Sequence, residues 1–306
     1  MYNGIINIYK EKGYTSHDVV AKLRGILKQK KIGHTGTLDP DATGVLPVCL
    51  GSGTKLCDMI TDRTKIYETV LLLGQSTDTQ DISGKIIEQY EGDIPLRQTV
   101  SDDDICQAVL SFIGDYDQIP PMYSALKVNG KKLYELAREG KEIDRKPRRI
   151  HIFSIDIQKI DFPKIMLRIE CSKGTYIRTL CHDIGEKLGV YGCMAELTRI
   201  KSGPFRIDEA LKLDDIQKLV ADGEIEKHLI PNEKMFEEYP VITMTEQGDK
   251  ILYNGNPLHH DIIRQGSEVK PENGCFVRVH DSKGIFKAVY VYDSQKQIYK
   301  TSKMFL

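Results

Sequence analysis

The chain lacks the marks of an exported, membrane-bound or cofactor-carrying protein. Its longest stretch without Asp, Glu, Lys or Arg is residues 42–54, 13 residues broken by Pro47 and three glycines, too short to span a hydrocarbon layer about 30 Å thick. The start, residues 1–10, has neither the basic opening nor the longer apolar run of an export signal, so a cytoplasmic protein with no membrane association is expected. The seven cysteines are odd in number and contain no C-x-x-C pair, which argues against a zinc site and a disulfide framework. Gly51-Ser52-Gly53-Thr54-Lys55 tempts toward a phosphate loop, but neither its glycine order nor a dinucleotide fingerprint is present. The eight histidines form no H-E-x-x-H and no G-x-S-x-G occurs, so zinc proteases and ordinary serine hydrolases lack their signatures.

Net charge is also nearly absent, at −1 from 43 basic and 44 acidic residues, yet the charges are unevenly distributed. Residues 22–31 hold Lys22, Arg24, Lys28, Lys30 and Lys31 with no acid, and residues 120–150 hold nine basic against four acidic residues. Residues 78–104 carry eight acids against Lys85 and Arg97. Such asymmetry permits a basic face on a neutral protein.

What stands out positively is one loop, Gly33-His34-Thr35-Gly36-Thr37-Leu38-Asp39-Pro40-Asp41-Ala42-Thr43-Gly44-Val45-Leu46-Pro47. Its opening is too polar for a buried strand, yet it runs into an apolar segment that must enter a core. Pro40 biases Asp39 toward an extended backbone, and Gly36 and Gly44 permit positive φ on either side. Taken alone, Asp39 and Asp41 read as turn residues capping backbone N–H groups.

Around this loop the periodicity predicts an α+β chain. Strands are expected at 3–9, 65–74, 84–90, 148–160, 164–171 and 192–200. Helices are expected behind an N-cap within residues 15–18, with an apolar stripe from Val19 to Leu27, and at 54–61, 102–113, 131–139, 175–188 and 211–220. Residues 118–130 read as a proline-braced turn into a strand closing on Asn129-Gly130. The character changes near Ile230-Pro231-Asn232, and glycine-punctuated strands follow. The expected division is 1–235 and 236–306.

Four segments in this order resemble the TruB family of tRNA pseudouridine-55 synthases: the loop from Gly33 to Pro47; Lys65-Ile66-Tyr67 before a strand ending Leu73-Gly74; Pro120-Pro121-Met122-Tyr123-Ser124-Ala125-Leu126-Lys127 followed by Gly130 to Arg138; and Cys171-Ser172-Lys173-Gly174-Thr175-Tyr176-Ile177-Arg178. Together they cover most of the first 205 residues. The resemblance implies a pseudouridine-synthase-like mixed, largely antiparallel sheet flanked by helices, with a small C-terminal all-β PUA-like RNA-binding domain. It also implies isomerisation of uridine to pseudouridine in the T-loop of tRNA. That reaction conserves atoms and oxidation state, so no redox cofactor or energy donor is expected, in accord with the missing phosphate loops and metal sites; no obligate protein partner is inferred.

The implied catalytic residues are Asp39, Tyr67 and Arg178. A carboxylate can act as nucleophile or base toward the nucleoside, Arg178 would pair with it, and Tyr67 would stack on the uracil. Tyr176 would supply a pocket hydrogen bond, Leu197 an apolar wall and His34 a contact beside the extruded nucleotide. Lys22, Arg24, Lys30, Lys31 and Lys127 are the expected phosphate contacts. Two other classes compete. A non-catalytic RNA-binding protein would not need Asp39, Tyr67 and Arg178 together. An aspartate-dependent nucleoside or glycoside hydrolase would have only Asp41 as second carboxylate and no use for the basic segments.

Overall fold

The computed structural model describes residues 1–128, 130–266 and 272–306. One nine-stranded mixed sheet organises the body: β1 Gly4–Lys10, β2 Ile32–His34, β3 Thr43–Leu50, β4 Lys65–Leu73, β5 Gly114–Gln118, β6 Arg148–Asp161, β7 Lys164–Cys171, β8 Gly192–Ser202 and β9 Phe205–Arg206. The strand order is β1-β3-β8-β4-β7-β6-β5, with β2 on β3 and β9 on β8. All pairings are antiparallel except β3 with β8. β4 alternates buried and half-buried positions along its length, as a strand with one core face must.

Two pairs of helices pack on one face of the sheet. α1 Ser16–Ile26 and α5 Leu213–Ala221 bury Val19, Leu23 and Ile216 against Ile6, Ile8 and Leu46 of β1 and β3. α2 Asp102–Leu110 and α4 Ile177–Lys187 bury Ile105, Leu180 and Ile184 against Leu71, Leu167 and Ile169 of β4 and β7. α1 begins in a capping box: the Thr15 hydroxyl accepts Asp18 N–H at 3.0 Å and the Asp18 carboxylate accepts Thr15 N–H at 2.8 Å. α2 repeats the arrangement with Ser101 and Asp104.

Three expectations are corrected. The strand expected at 84–90 covers only Ile86–Gln89 and pairs with Gln75–Thr77 in a separate ribbon, because both its faces are exposed and it has no apolar side to give the main sheet. β5 was not expected as a strand: its Asp115 and Asp117 give it the composition of a loop, but both pair with Arg149 of β6 at the sheet's outer edge. The strand after Pro120-Pro121 is only Lys127–Val128, paired with Lys131–Lys132, and is followed by helix α3 Leu133–Arg138; Asn129 of the expected turn lies outside the described residues.

The C-terminal module has its own four-stranded sheet, β10 Val241–Thr243, β11 Phe276–His280, β12 Phe286–Asp293 and β13 Ile298–Met304. The helix α6 Glu246–Tyr253 accompanies these strands. The module docks behind β1 and β3, where Val289 and Phe305 join Ile5, Val45 and Phe236 in one apolar cluster. Lys55 Nζ donates to Met304 O at 2.8 Å, and Lys303 Nζ donates to Lys55 O at 2.7 Å.

Candidate active site

The loop of residues 35–42 joins β2 to β3, which pair antiparallel from Ile32↔Leu50 to His34↔Val48. Both glycines behave as the sequence requires, each with φ +105. At Gly44 close approach adds to this, since a Cβ there would lie 2.2 Å from Arg199 O on the adjoining strand β8. The loop is stiff because its backbone is bonded from beneath. The buried Lys10 Nζ donates to Ala42 O at 2.6 Å and Pro40 O at 3.1 Å. Ser16 Oγ accepts Leu38 N–H at 2.9 Å, and Arg199 donates to Val45 O at 2.7 Å and Gly36 O at 3.3 Å. Burial lowers the Lys10 ammonium to about 8, a shift partly opposed by the charges of Asp39 and Asp41.

Asp39 rises from this platform with its side chain 37 % exposed and meets Arg178, whose side chain is 5 % exposed. The pairing is two-pronged, Nε to Oδ2 at 2.9 Å and Nη2 to Oδ1 at 3.2 Å, the fork geometry that only arginine offers a carboxylate. Arg178 sits in the first turn of α4. Its remaining donors reach Thr79 O and Tyr123 O, both at 2.9 Å, and Asp81 Oδ2 lies 3.9 Å from Nη1. A guanidinium sunk among carbonyls and two carboxylates presents Asp39 outward in one orientation.

The floor beside Asp39 is a cross-strand row. Gly44 lies opposite Arg199, Arg199 opposite Tyr67 and Tyr67 opposite Ile169. Tyr67, Leu197, Leu38 and Ala42 share one apolar cluster. Burial raises the Tyr67 phenol above its ordinary value, with the Arg199 guanidinium opposing, so Tyr67 is a neutral phenol at pH 7. Tyr176 precedes α4, its backbone clamped by Gln118 through bonds of 2.8 and 3.0 Å; burial raises its phenol too. The His34 ring meets His17 edge to face at 5.2 Å, and burial, aided by His17, lowers its imidazole to about 4. His34 is therefore neutral at pH 7.

Asp39, Arg178, Tyr67 and Leu197 thus gather around the loop, with Tyr176 two residues from Arg178 and His34 at the loop's entrance. The cations lie outside this cluster. Lys22 is exposed and bonded to Tyr14 Oη at 2.7 Å, and Arg24 donates to Lys30 O at 3.1 Å. Lys30 and Lys31 are exposed just before β2, and Lys127 is exposed on its ribbon. Asp41 is exposed in the turn closed by Ala42 N–H to Asp39 O at 3.1 Å; its carboxylate caps nothing among the described residues, and the second carboxylate near Asp39's partner is Asp81. Sequence reasoning missed Lys10, Asp81 and Arg199, and the carbonyls of Thr79 and Tyr123. Tyr123 stood in a motif already noticed; the others carried no signal beyond being polar or charged.

A family model of the TruB family pseudouridylate synthase N-terminal domain matches residues 24–177, and one of the tRNA pseudouridylate synthase B C-terminal domain matches residues 178–237. A tRNA pseudouridine synthase B of Lachnoclostridium phytofermentans is 50 % identical over 312 residues, covering 99 % of this chain and all of the relative. One of Clostridium perfringens is 46 % identical over 285 residues, covering 93 % of each chain. Among solved structures, a chain of a Cbf5-Nop10-Gar1 complex superposes with a TM-score of 0.70 at 28 % identity, covering 99 % of this chain and 85 % of that one.

Proposed function

The chain belongs to the TruB family of pseudouridine synthases, and from that premise we propose how its residues convert uridine 55 of tRNA to pseudouridine. The reaction breaks the N1–C1′ glycosidic bond, turns the uracil and joins C5 to C1′; the proton lost from C5 is balanced by one gained at N1. Asp39 is the group that engages the nucleoside. The observation that carries this reading is the two-pronged Asp39–Arg178 pair, formed between a half-exposed carboxylate and a buried guanidinium 139 positions away in the chain. Such a pair holds one carboxylate face toward solvent and fixes its orientation, as a positioned catalytic group requires. Tyr67, neutral and level with the loop, stacks on the turned uracil; Leu197 and Tyr176 wall the pocket, and His34 contacts the RNA beside the extruded nucleotide.

Extruding a base from a folded loop costs a few kcal/mol of stacking. Phosphate contacts offset that cost, and Lys22, Arg24, Lys30, Lys31 and Lys127, all exposed, are assigned to the T-arm. Residues 1–235 form the catalytic part and 236–306 a PUA-like RNA-binding module, a division supported by the module's own sheet and core. No helix of the described residues is long and apolar enough to cross a membrane, and a cytoplasmic place accords with a tRNA substrate.

The test is to incubate the protein with an unmodified tRNA transcript and with an isolated T-arm stem-loop, without additives, and to map pseudouridine. Conversion at the T-loop uridine of both is expected; conversion elsewhere, or none, defeats the assignment. Asp39→Asn should abolish conversion while leaving tRNA affinity within about tenfold, since the lost charge faces the reacting nucleoside and not the phosphates. A collapse of binding or folding would return Asp39 to a structural role.

A further inference from the structure

Arg178 is held by Asp39 on one side and by the turn of residues 77–84 on the other, and the apex of that turn is unusual. Gln80 has φ +62, the left-handed region that glycine and asparagine favour, because a Cβ there crowds the following carbonyl. Three bonds keep it in place. Its N–H donates to Thr77 O at 3.0 Å, its carbonyl accepts Met194 N–H at 3.0 Å, and its side-chain Oε1 accepts the Thr179 hydroxyl at 2.7 Å. Any residue could make the first two. The third requires a side chain long enough to reach α4, where Thr179 is buried next to Arg178. The residues flanking Gln80 are the ones that face the guanidinium: Thr79 O accepts from Arg178 Nη1 at 2.9 Å, and Asp81 Oδ2 lies 3.9 Å from it. Asp81 is itself fixed, its Oδ1 accepting from Thr79 Oγ1 at 2.8 Å and Ser83 N–H at 3.0 Å.

We propose that Gln80 is a positioning residue for Arg178: its hydrogen bond to Thr179 locks the left-handed apex against α4, so that Thr79 O and Asp81 fix the roll of the guanidinium and through it the face that Asp39 presents. The inference rests on the catalytic reading of Asp39 and Arg178. If the side chain lets go, the apex is no longer tied to α4, the Thr79 carbonyl is free to move off Nη1, and Arg178 gains freedom to turn within its pocket. Substrate affinity, set by distant cations, is untouched.

The experiment measures single-turnover conversion of a tRNA transcript and tRNA Kd for the wild type, Gln80→Gly, Thr179→Val, Thr179→Ser and the Gln80→Gly/Thr179→Val double variant. Glycine tolerates the apex conformation, valine keeps the shape of threonine, and serine keeps the hydroxyl. Gln80→Gly and Thr179→Val should each slow conversion about tenfold with Kd within about twofold of wild type. The double variant should be no slower than either single one, because both remove the same bond, and Thr179→Ser should convert at the wild-type rate. A Gln80→Gly protein as fast as wild type, multiplicative slowing in the double variant, or slowing matched by an equal rise in Kd would overturn the proposal. A wild-type protein that forms no pseudouridine defeats the catalytic reading and this inference with it; an active wild type with an equally active Gln80→Gly defeats this inference alone.

Discussion

Replacing Arg178 by lysine keeps the positive charge and removes the fork, which separates geometry from electrostatics at the candidate site. Arg178 places Nε and Nη2 on the two oxygens of Asp39 at 2.9 and 3.2 Å while Nη1 and Nη2 reach Thr79 O and Tyr123 O at 2.9 Å. An ammonium is a compact point donor on a shorter stem, and it cannot bridge both carboxylate oxygens while holding carbonyls on opposite sides. At least one charge-assisted bond to Asp39 is lost. At about 1.5–3 kcal/mol for such a bond, and a factor of ten per about 1.4 kcal/mol of barrier, single-turnover conversion should slow by roughly 10- to 150-fold. Stability should fall by about 1–3 kcal/mol, because one of the two carbonyls loses its donor; the Coulomb part of the change is small, since the charge remains and Asp39 is 37 % exposed. The assay pairs quench-flow conversion of a tRNA transcript with a binding titration and a thermal melt, and Kd should stay within about threefold of wild type. If Arg178→Lys folds, binds tRNA and converts within about threefold of the wild-type rate, a point charge is sufficient and the argument from two-pronged geometry is wrong.

Three further outcomes are expected. Binding of tRNA should weaken steeply with salt, and Lys30→Ala or Lys31→Ala should each lower the log–log slope by about 0.7–0.9 if the residue contacts a phosphate; unchanged slopes would remove these lysines from the interface. Gly44→Ala should cost about 2–5 kcal/mol, since φ +105 is closed to alanine and its Cβ would lie 2.2 Å from Arg199 O; an unchanged melting temperature would contradict the close approach. Burial lowers His34 to about 4, so as pH falls below about 6.5 the unfolded chain takes up the proton before the folded one. Its contribution to stability is therefore complete above that pH and declines toward about pH 4, and melts across this window should show a shallower decline for His34→Gln than for wild type, whereas parallel curves would show that His34 is not the titrating group.

The position of Asp39 was legible in the sequence because local backbone chemistry creates it: Pro40 restricts the residue before it, Gly36 and Gly44 supply the positive φ values, and the apolar run from Val45 onward must enter the core. The first helix of the chain and the strands expected at 148–160 and 164–171 were legible for the same reason, as short-range pattern and hydrogen bonding decide them. What no local pattern specifies is the surroundings of the carboxylate. Lys10 reaches the loop across 30 positions and Arg199 across 163, and Thr79 and Tyr123 serve through carbonyl oxygens that every residue type possesses. Whether Ile86–Gln89 joins the main sheet depends on an apolar partner face, and its exposed sides leave it none. The sequence by itself therefore determined the rigid loop that carries Asp39, because proline, glycine and burial act on neighbouring residues, while the choice of Asp39 over Asp41 came from the resemblance to the family. Only the tertiary structure decided what holds Arg178 against Asp39, because the turn at 77–84, the segment after Pro120 and the start of α4 converge on one guanidinium through contacts that chain order does not encode.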